Sequence, residues 1–193
     1  MIIIGLTGSI GMGKTTVAQQ FSRYGIPILD SDLVVHLLMR EDKSCIAAIK
    51  TLFPAAVKNE IVDRSVISRE VFGKPDKLKA LEQILHPRVR AAQEAFIRSH
   101  VRTGKKAVLL DIPLLFETEG EKRCDYVVVV SAPAFLQKQR VMRRAGMTEE
   151  KFARIISRQM PDSKKRKRAD TVVRTGLGKH ESLKQVIRFL KKL

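Results

Sequence analysis

The chain has 193 residues, of which 37 are Lys or Arg and 20 are Asp or Glu, so its formal net charge is +17. This length fits one compact unit with an insert or lid better than two independent domains, and an apolar fraction of 44% excludes a disordered chain. The charge predicts polyanionic partners, but the absence of Trp and the 5% aromatic content argue against platforms that stack nucleic acid bases.

The first part of the chain predicts a strand, a helix and a second strand. The apolar run 2–6 ends at a glycine and is typical of a buried parallel strand. Helical spacing begins at Thr15, and Gly25 stands where a helix-terminating glycine is expected. The short apolar run 26–29 predicts the second strand, which Asp30 and the next two residues close.

The rest of the chain alternates helices and strands, which indicates an α/β fold with a parallel sheet flanked by helices. Residues 33–103 are expected to be mostly helical, with Pro87 beginning one of the helices. Further strands are predicted at 108–110, 126–130 and 172–173, and further helices at 134–160 and 180–192. We expect a core of residues 1–32, 105–135 and 169–193, a helical insert at 33–104 and a basic lid at 136–168.

The strongest motif is GSIGMGKT at residues 8–15, which matches the phosphate-loop pattern G-x-x-x-x-G-K-[ST]. Its glycines permit positive φ and let backbone N–H groups approach a phosphate, and the next helix directs its positive end at the same anion. Lys14 is expected to reach the β- and γ-phosphates of ATP, and the Thr15 hydroxyl to bind Mg²⁺. Because the motif follows a buried strand and opens a helix, a P-loop NTPase fold is favoured over a chance glycine-rich turn.

Carboxylates close two of the predicted strands. Asp30 and Asp32 follow the second strand, where ligands gather in parallel sheets, so either one can accept a proton from an attacking hydroxyl. The alternative is that Ser31 or Asp32 only caps the next helix. Asp111 follows the strand 108–110 and is placed to hold Mg²⁺ through water, although a turn aspartate would look the same.

About half of the excess charge lies in residues 136–168, which hold 12 basic and 3 acidic residues. Arg140 and Arg144 are four residues apart and share a helix face, and arginine suits both phosphate binding and stacking on adenine. A lid over a bound nucleotide is therefore favoured. A nuclear-localisation run or a nucleic acid-binding arm are the alternatives for residues 164–168.

Six short segments together resemble the dephospho-CoA kinase family: Gly5–Gly8, Leu29–Asp32, His86–Val89, Asp111–Glu117, Gln159–Pro161 and Ala169–Asp170. Their order and spacing agree along nearly the whole chain, and the His-Pro and Pro-Leu-Leu-Phe-Glu pieces are far more particular than the phosphate loop. The resemblance implies a nucleoside-monophosphate-kinase-like fold. It also implies transfer of phosphate from ATP to the ribose 3′-hydroxyl of dephospho-CoA, the last step of coenzyme A synthesis.

The resemblance further implies roles for individual residues. The residues that would bind ATP are Gly8, Gly11, Met12, Gly13, Lys14, Thr15, Thr16 and Arg144. The residues that would bind the acceptor are Asp30, Asp32, His86, Arg88, Pro113 and Leu114. The residues that would act in catalysis are Lys14, Asp32 as the base, and Arg140, and Mg²⁺ would lie on Thr15 and Asp111.

The chain departs from the family pattern at three positions. Ser31 replaces the usual Ala between the two aspartates, a change between small residues that is expected to be harmless. The segment Val173–Gly176 stands where the family has an Asn after the last strand, so the adenine contact that the family pattern implies there is not expected. Met12 replaces a small Ser in the phosphate loop, and the sequence alone does not interpret this change.

The expected partners are the small molecules dephospho-CoA and ATP, with no nucleic acid and no membrane. Cys45 and Cys124 lie far apart without metal-ligand spacing, and no apolar run approaches the roughly 20 residues of a membrane span, so a cytoplasmic protein is expected. The oligomeric state stays open, with a monomer favoured. Another P-loop nucleoside or nucleotide kinase is the main alternative function, and a nucleic acid-binding NTPase is a second.

Overall fold

A computed structural model describes all 193 residues of the chain. The strands are β1 (Ile2–Thr7), β2 (Ile28–Asp30), β3 (Val57–Lys58), β4 (Ile61–Val62), β5 (Ala107–Asp111), β6 (Tyr126–Ser131) and β7 (Thr171–Arg174). The helices are α1 (Lys14–Arg23), α2 (Ser31–Glu41), α3 (Lys43–Leu52), α4 (Arg64–Val71), α5 (Pro75–Arg102), α6 (Ala134–Met142), α7 (Glu149–Ser157), α8 (Asp162–Lys167) and α9 (Lys179–Leu190). Short 3₁₀ turns lie at Pro54–Ala56 and Gly120–Arg123.

The main sheet has five strands in the order β2–β5–β1–β6–β7. β1 pairs in parallel with β5 and β6, and β6 pairs in parallel with β7. The central strands are almost continuously apolar and buried, as expected for a parallel sheet that is covered on both faces. The predicted α/β fold with a parallel sheet flanked by helices is confirmed.

Helices α1 and α9 pack together and contribute to the core of this sheet. Phe21 of α1 and Phe189 of α9 meet edge to face, with ring centroids 5.9 Å apart. Both pack into the cluster that includes Ile4, Leu109 and Val128 from the three central strands. The apolar residues at helical spacing in the sequence are therefore the residues that bury these helices.

The chain divides into two compact units, residues 1–29 with 100–193, and residues 30–99. The second unit has its own apolar core, which contains Ile49, Phe53 and Ala56. Most of this unit is helical, as predicted, but strands β3 and β4 form a small antiparallel hairpin that the sequence analysis did not predict. No helix of the chain has both the length and the apolar character that crossing a membrane requires.

The prediction that Pro87 begins a helix is wrong. Helix α5 runs through Pro87 without a break and begins instead at Pro75, where a first-turn proline costs no hydrogen bond. Proline removes a backbone donor from the helix interior. The carbonyl left without its helical donor is that of Gln83, and the guanidinium of Arg88 donates to the neighbouring carbonyl of Ile84 at 2.8 Å.

Candidate active site

The phosphate loop connects β1 to α1 and has a backbone that only glycine adopts easily. Gly11 has a φ of +78° and Gly13, which caps α1, has a φ of +94°. A Cβ atom on Gly11 would lie 2.5 Å from a methyl carbon of Val141 and 2.9 Å from the carbonyl oxygen of Gln137. The glycines are therefore required both by the turn and by the close packing of α6 against it.

The loop presents four backbone donors that no acceptor of the chain uses. They are the N–H groups of Gly11, Gly13, Lys14 and Thr15. The N–H of Met12 differs, because it donates to the Ser9 carbonyl at 3.1 Å and tightens the turn. Consecutive donors at the beginning of a helix form an anion-binding concavity, so this backbone suits a bound phosphate chain.

Lys14 and Asp111 form an ion pair beside this loop, with Nζ 2.5 Å from Oδ1. The side chains are largely withdrawn from solvent, at 17% and 5% exposure. The pairing follows from the sheet register, since Asp111 ends β5 opposite Leu6 of β1, immediately before the loop. An ammonium and a carboxylate thus share the position where charge on a triphosphate must be balanced.

The donor set beside the loop fits a magnesium ion that is completed by phosphate. The Thr15 hydroxyl and the Asp111 carboxylate are the hard oxygen ligands that Mg²⁺ prefers, and no group of three or more His, Cys, Asp or Glu residues forms a complete protein cage. Mg²⁺ is ordinarily held by one or two carboxylates together with substrate phosphates and water. The residues present therefore fit the ion.

The carbonyl groups of the loop face the protein and are held by side chains. The Arg140 guanidinium donates to the Thr175 hydroxyl at 3.0 Å and to the Thr175 carbonyl at 2.9 Å, and it lies 3.4 Å from the Gly11 carbonyl. The Thr175 hydroxyl in turn donates to the Met12 carbonyl at 2.6 Å. Thr175, which lies in the segment that departs from the family pattern, is thus a direct support of the loop.

Met12, the departure within the loop itself, is a buried core residue. It is 2% exposed and belongs to the apolar cluster of the sheet. Its sulfur accepts the N–H of Ala132 at 3.0 Å. Because Met is long and adaptable, it reaches from the loop to the end of β6 and fills space that a small residue would leave.

A small cavity of about 120 Å³ adjoins the loop. The residues that line it include Gly13, Thr16, Arg140, Thr175, Gly178 and Lys179. A guanidinium plane and backbone groups therefore flank a space next to the phosphate-binding donors. Arginine stacks well on flat heterocycles, so this lining suits the base of a nucleotide.

Three further predicted residues lie in the first unit without completing the loop. Arg144 lies beyond the end of α6 with an exposed side chain, and its backbone N–H donates to the Val141 carbonyl. The Pro113 carbonyl accepts the Thr7 hydroxyl at 3.0 Å, and the Leu114 side chain is 38% exposed. None of these side chains forms a hydrogen bond or an ion pair with the loop.

The basic run 164–168 is packed against the protein rather than extended into solvent. Lys165 is fully buried, with Nζ 2.9 Å from Oε1 of Glu117. Arg168 pairs with Glu121, and its guanidinium carbon lies 4.6 Å from the ring centre of Phe116. Part of the local positive charge is thus neutralised within the chain.

The two aspartates that follow β2 have different surroundings in the second unit. Asp30 caps α2, because its Oδ1 accepts the N–H groups of Asp32 at 2.9 Å and Leu33 at 3.1 Å. The alternative that Ser31 or Asp32 is the cap is wrong. Ser31 is buried, and its hydroxyl accepts a hydrogen bond from the Gln93 amide at 3.1 Å, whereas Asp32 is exposed.

His86 and Arg88 lie in α5 within the second unit, two residues apart. The Arg88 guanidinium approaches the Ser44 hydroxyl at 3.4 Å, near the beginning of α3. The pKa of Asp42, the cap of α3, is held below its usual value by the Ser44 hydroxyl, then by the Cys45 N–H, with a smaller effect of the Arg88 charge. His86 is half-buried on the same helix.

Two glutamines that the sequence analysis did not select also hold the loop. The Gln159 Oε1 atom accepts the N–H of Ile10 at 3.1 Å, and the Gln137 Nε2 atom donates to the carbonyl of Ile10 at 2.8 Å. Gln159 belongs to a segment that carries the family resemblance, so a signal existed there. Gln137 had none, because a glutamine in a basic helix looks like a solvated residue.

The chain is similar to dephospho-CoA kinases over nearly all of its length. The family described as dephospho-CoA kinase matches residues 2–179. The dephospho-CoA kinase of Agrobacterium fabrum is 49% identical over 193 residues, which are 100% of this chain and 98% of the relative. That of Rhizobium meliloti is also 49% identical, over 91% of this chain and 89% of the relative.

Solved structures agree with this similarity. The crystal structure of TT1252 from Thermus thermophilus is 39% identical, with a TM-score of 0.86 over 99% of this chain and 96% of the other. Shikimate kinase from Bacteroides thetaiotaomicron is 15% identical, with a TM-score of 0.54 over 98% of each chain, and shares the fold alone.

Proposed function

The chain belongs to the dephospho-CoA kinase family and phosphorylates dephospho-CoA to coenzyme A, and on that premise we propose which residues perform the transfer. The phosphate loop binds ATP, and the γ-phosphoryl group passes to the ribose 3′-hydroxyl of the acceptor. The observation that carries this assignment is the row of four unused N–H donors next to the Lys14–Asp111 ion pair. These groups match a triphosphate in charge and in hydrogen bonding.

ATP occupies the loop and the cavity beside it. The N–H groups of residues 11 and 13–15 donate to the phosphate oxygens, and Gly8 and Thr16 shape the two ends of the loop. The adenine base enters the cavity of about 120 Å³ beside the loop. Arg140 is already held by Thr175, so it is oriented before the nucleotide arrives.

Charge on the transferred group is balanced by fixed cations. Phosphoryl transfer has a loose transition state, so positioning and electrostatic stabilisation account for most of the catalysis. The Lys14 ammonium stays paired with Asp111 and reaches the β- and γ-phosphates from there, and Arg140 and Arg144 add positive charge from α6 and the turn after it. Because Asp111 and the backbone already fix Lys14 beside the loop, little reorganisation accompanies the transfer.

Mg²⁺ is proposed to be held by the Thr15 hydroxyl and by Asp111. When bound, the ion draws charge from the β- and γ-phosphate oxygens. Asp111 therefore has two proposed partners, the Lys14 ammonium and the ion, and its low exposure strengthens both interactions.

Asp32 is the proposed base for the acceptor hydroxyl. Asp32 lies in the first turn of α2 with an exposed side chain, whereas Oδ1 of Asp30 caps that helix. With a loose transition state, bond formation to the hydroxyl lags and a weakly basic carboxylate suffices. His86, Arg88, Pro113 and Leu114 are proposed to contact the rest of the acceptor.

The proposed division of labour follows the proposed segments of the chain. Residues 33–104 bind dephospho-CoA, residues 136–168 close over ATP, and the remainder forms the nucleotide-binding core. Side chains of the same chain hold the phosphate loop, and a monomer is proposed. Lid closure would exclude water and suppress hydrolysis of ATP.

The test combines product analysis with a matched pair of lysine variants. The protein is incubated with ATP, Mg²⁺ and dephospho-CoA, and the new phosphate is located by ³¹P NMR and fragmentation mass spectrometry; we expect it on the ribose 3′-oxygen. Lys14→Ala should lower kcat/KM by about 10²–10³-fold, as expected for one preorganised electrostatic contact. Lys105→Ala removes an exposed lysine and is the control. Equal activity of the two variants, or phosphate at another position, would contradict the assignment.

A further inference from the structure

We infer that Gln137 and Gln159 are positioning residues for ATP, because together they set the orientation of one residue of the phosphate loop. This inference rests on the proposed binding of ATP at that loop. The residue is Ile10, whose N–H is bound by Gln159 at 3.1 Å and whose carbonyl is bound by Gln137 at 2.8 Å. We call the two side chains the glutamine clamp.

The need for such a clamp follows from the backbone of an anion-binding loop. Four N–H groups can face a phosphate only if the intervening carbonyls turn towards the protein. Such carbonyls must then find donors, since a buried carbonyl without one is costly. The carbonyls of Met12 and Gly11 are bound by Thr175 and Arg140, and that of Ile10 is bound by Gln137.

Ile10 differs from the other loop residues because both of its backbone groups are bound by side chains. Its N–H precedes the four donors that face the proposed phosphate site and does not join them. Gln159 accepts this N–H and so keeps it directed away from the phosphates. A rotation of the peptide before or after Ile10 would break one of the two hydrogen bonds, so the clamp restricts the loop to the orientation in which the following donors converge.

The two glutamines are themselves firmly held. Gln137 is 7% exposed. Its main-chain carbonyl lies against Gly11, since a Cβ atom on Gly11 would be 2.9 Å from that carbonyl oxygen. Gln159 is followed by Met160, whose N–H donates to Oε1 of Glu117 at 2.7 Å. That same oxygen pairs with the buried Lys165 at 2.9 Å. The clamp therefore rests on a buried ion pair and on a helix that packs directly on the loop.

The clamp also gives the proposed lid an influence on the phosphate site. Gln137 lies near the beginning of residues 136–168, in the first helix of that segment, and Gln159 lies near its end. Both hydrogen bonds are made to the backbone of Ile10. A displacement of either end of the segment would therefore change the position of Ile10. Loss of either glutamine should therefore weaken ATP binding selectively, without a direct effect on the acceptor.

The experiment measures ATP affinity and steady-state kinetics for three matched substitutions in the full chain. Gln137→Met and Gln159→Met keep side-chain length and remove the hydrogen bond, and Gln139→Met alters an exposed glutamine of the same helix α6. We expect each clamp variant to raise the ATP dissociation constant and the KM for ATP about tenfold. The KM for dephospho-CoA should change less than about twofold, and Gln139→Met should match the wild type.

A double variant separates positioning from general destabilisation. If both glutamines orient one residue, Gln137→Met with Gln159→Met should weaken ATP binding by about 10–20-fold, well below the roughly 100-fold product of independent effects. Three results would overturn the inference. They are a loss in the double variant near the roughly 100-fold product, equal losses of affinity for ATP and for dephospho-CoA, and clamp variants that bind ATP as tightly as Gln139→Met. Lys14→Ala is measured in parallel: if it binds ATP as the wild type does, the proposed ATP site fails and the clamp with it. If Lys14→Ala alone loses affinity, only the clamp is refuted.

Discussion

Lys164 and Lys165 are adjacent in the sequence, but their replacement should have very different effects on stability. The Lys165 side chain is fully buried and its ammonium pairs with Glu117, which is 18% exposed. Lys164 is exposed and forms no ion pair. We therefore expect Lys165→Met to be strongly destabilising and Lys164→Met to be nearly neutral, although both remove one positive charge.

The expected loss of stability follows from the surroundings of the Glu117 carboxylate in Lys165→Met. Glu117 keeps only the Met160 N–H on Oε1, and its other oxygen is buried without a hydrogen-bond partner. Breaking a buried ion pair by removing one partner costs about 3–5 kcal/mol. In a chain of this size, each kcal/mol lowers the melting temperature by about 2–4 °C. The expected fall is therefore about 6–20 °C, compared with under about 0.5 kcal/mol for an ordinary surface change such as Lys164→Met.

Circular dichroism melts and guanidinium titrations of the two variants measure this difference. A second variant, Lys165→Met with Glu117→Gln, removes both charges and should recover a large part of the lost stability, because the uncompensated carboxylate is gone. If Lys165→Met and Lys164→Met melt within about 2 °C of one another, a difference under about 1 kcal/mol, the buried ion pair does not have the role assigned to it.

Two further predictions concern the aspartates at the end of β2 and the half-buried thiol of Cys124. Asp32→Asn should lower kcat by about 10²–10⁴-fold, the usual range for a general base, whereas Asp30→Asn should stay near wild type because Asn caps helices as well as Asp; equal losses in a coupled ADP-release assay would refute the distinction. Burial raises the pKa of Cys124 from 9.0 to about 11, so the folded thiol stays protonated at pH 8. Iodoacetamide should alkylate it about 100-fold more slowly than in the unfolded chain, in proportion to the thiolate fraction. Because the folded pKa is raised, the thiol's contribution to stability is complete below pH 9 and is lost as the pH rises towards 11. Urea titrations across that range should show a steeper decline than in Cys124→Ala, and an equal decline in both would contradict the assignment.

Local patterns in the sequence were sufficient for the nucleotide-binding core. The apolar runs of β1, β5 and β6 and the glycines of the loop each depend on rules that act over a few residues. A buried strand must be apolar throughout, and a turn with φ of +78° and +94° needs glycine at Gly11 and Gly13. The parallel sheet and the position of the loop at the end of β1 followed from these rules.

Local patterns were insufficient at three places in the second unit. Pro87 reads as a helix start because it lacks an N–H, yet α5 continues through it with the Arg88 guanidinium bound to the Ile84 carbonyl. Strands β3 and β4 of the hairpin have only two residues each. This is too few for an alternating apolar and polar pattern to be recognised in the sequence. Asp30 proved to be the cap of α2, although its neighbours were equally plausible from residue type.

The sequence by itself determined that this chain carries a phosphate loop on a parallel sheet, because those features are written in consecutive residues. Only the tertiary structure decided which polar groups support the loop. Gln137, Gln159 and Thr175 contact it from 127 to 163 residues away along the chain. It also decided which lysine of the basic run is buried against Glu117. Such contacts depend on how helices pack, and an isolated polar residue in the sequence contains no sign of the acceptor or donor that it will meet.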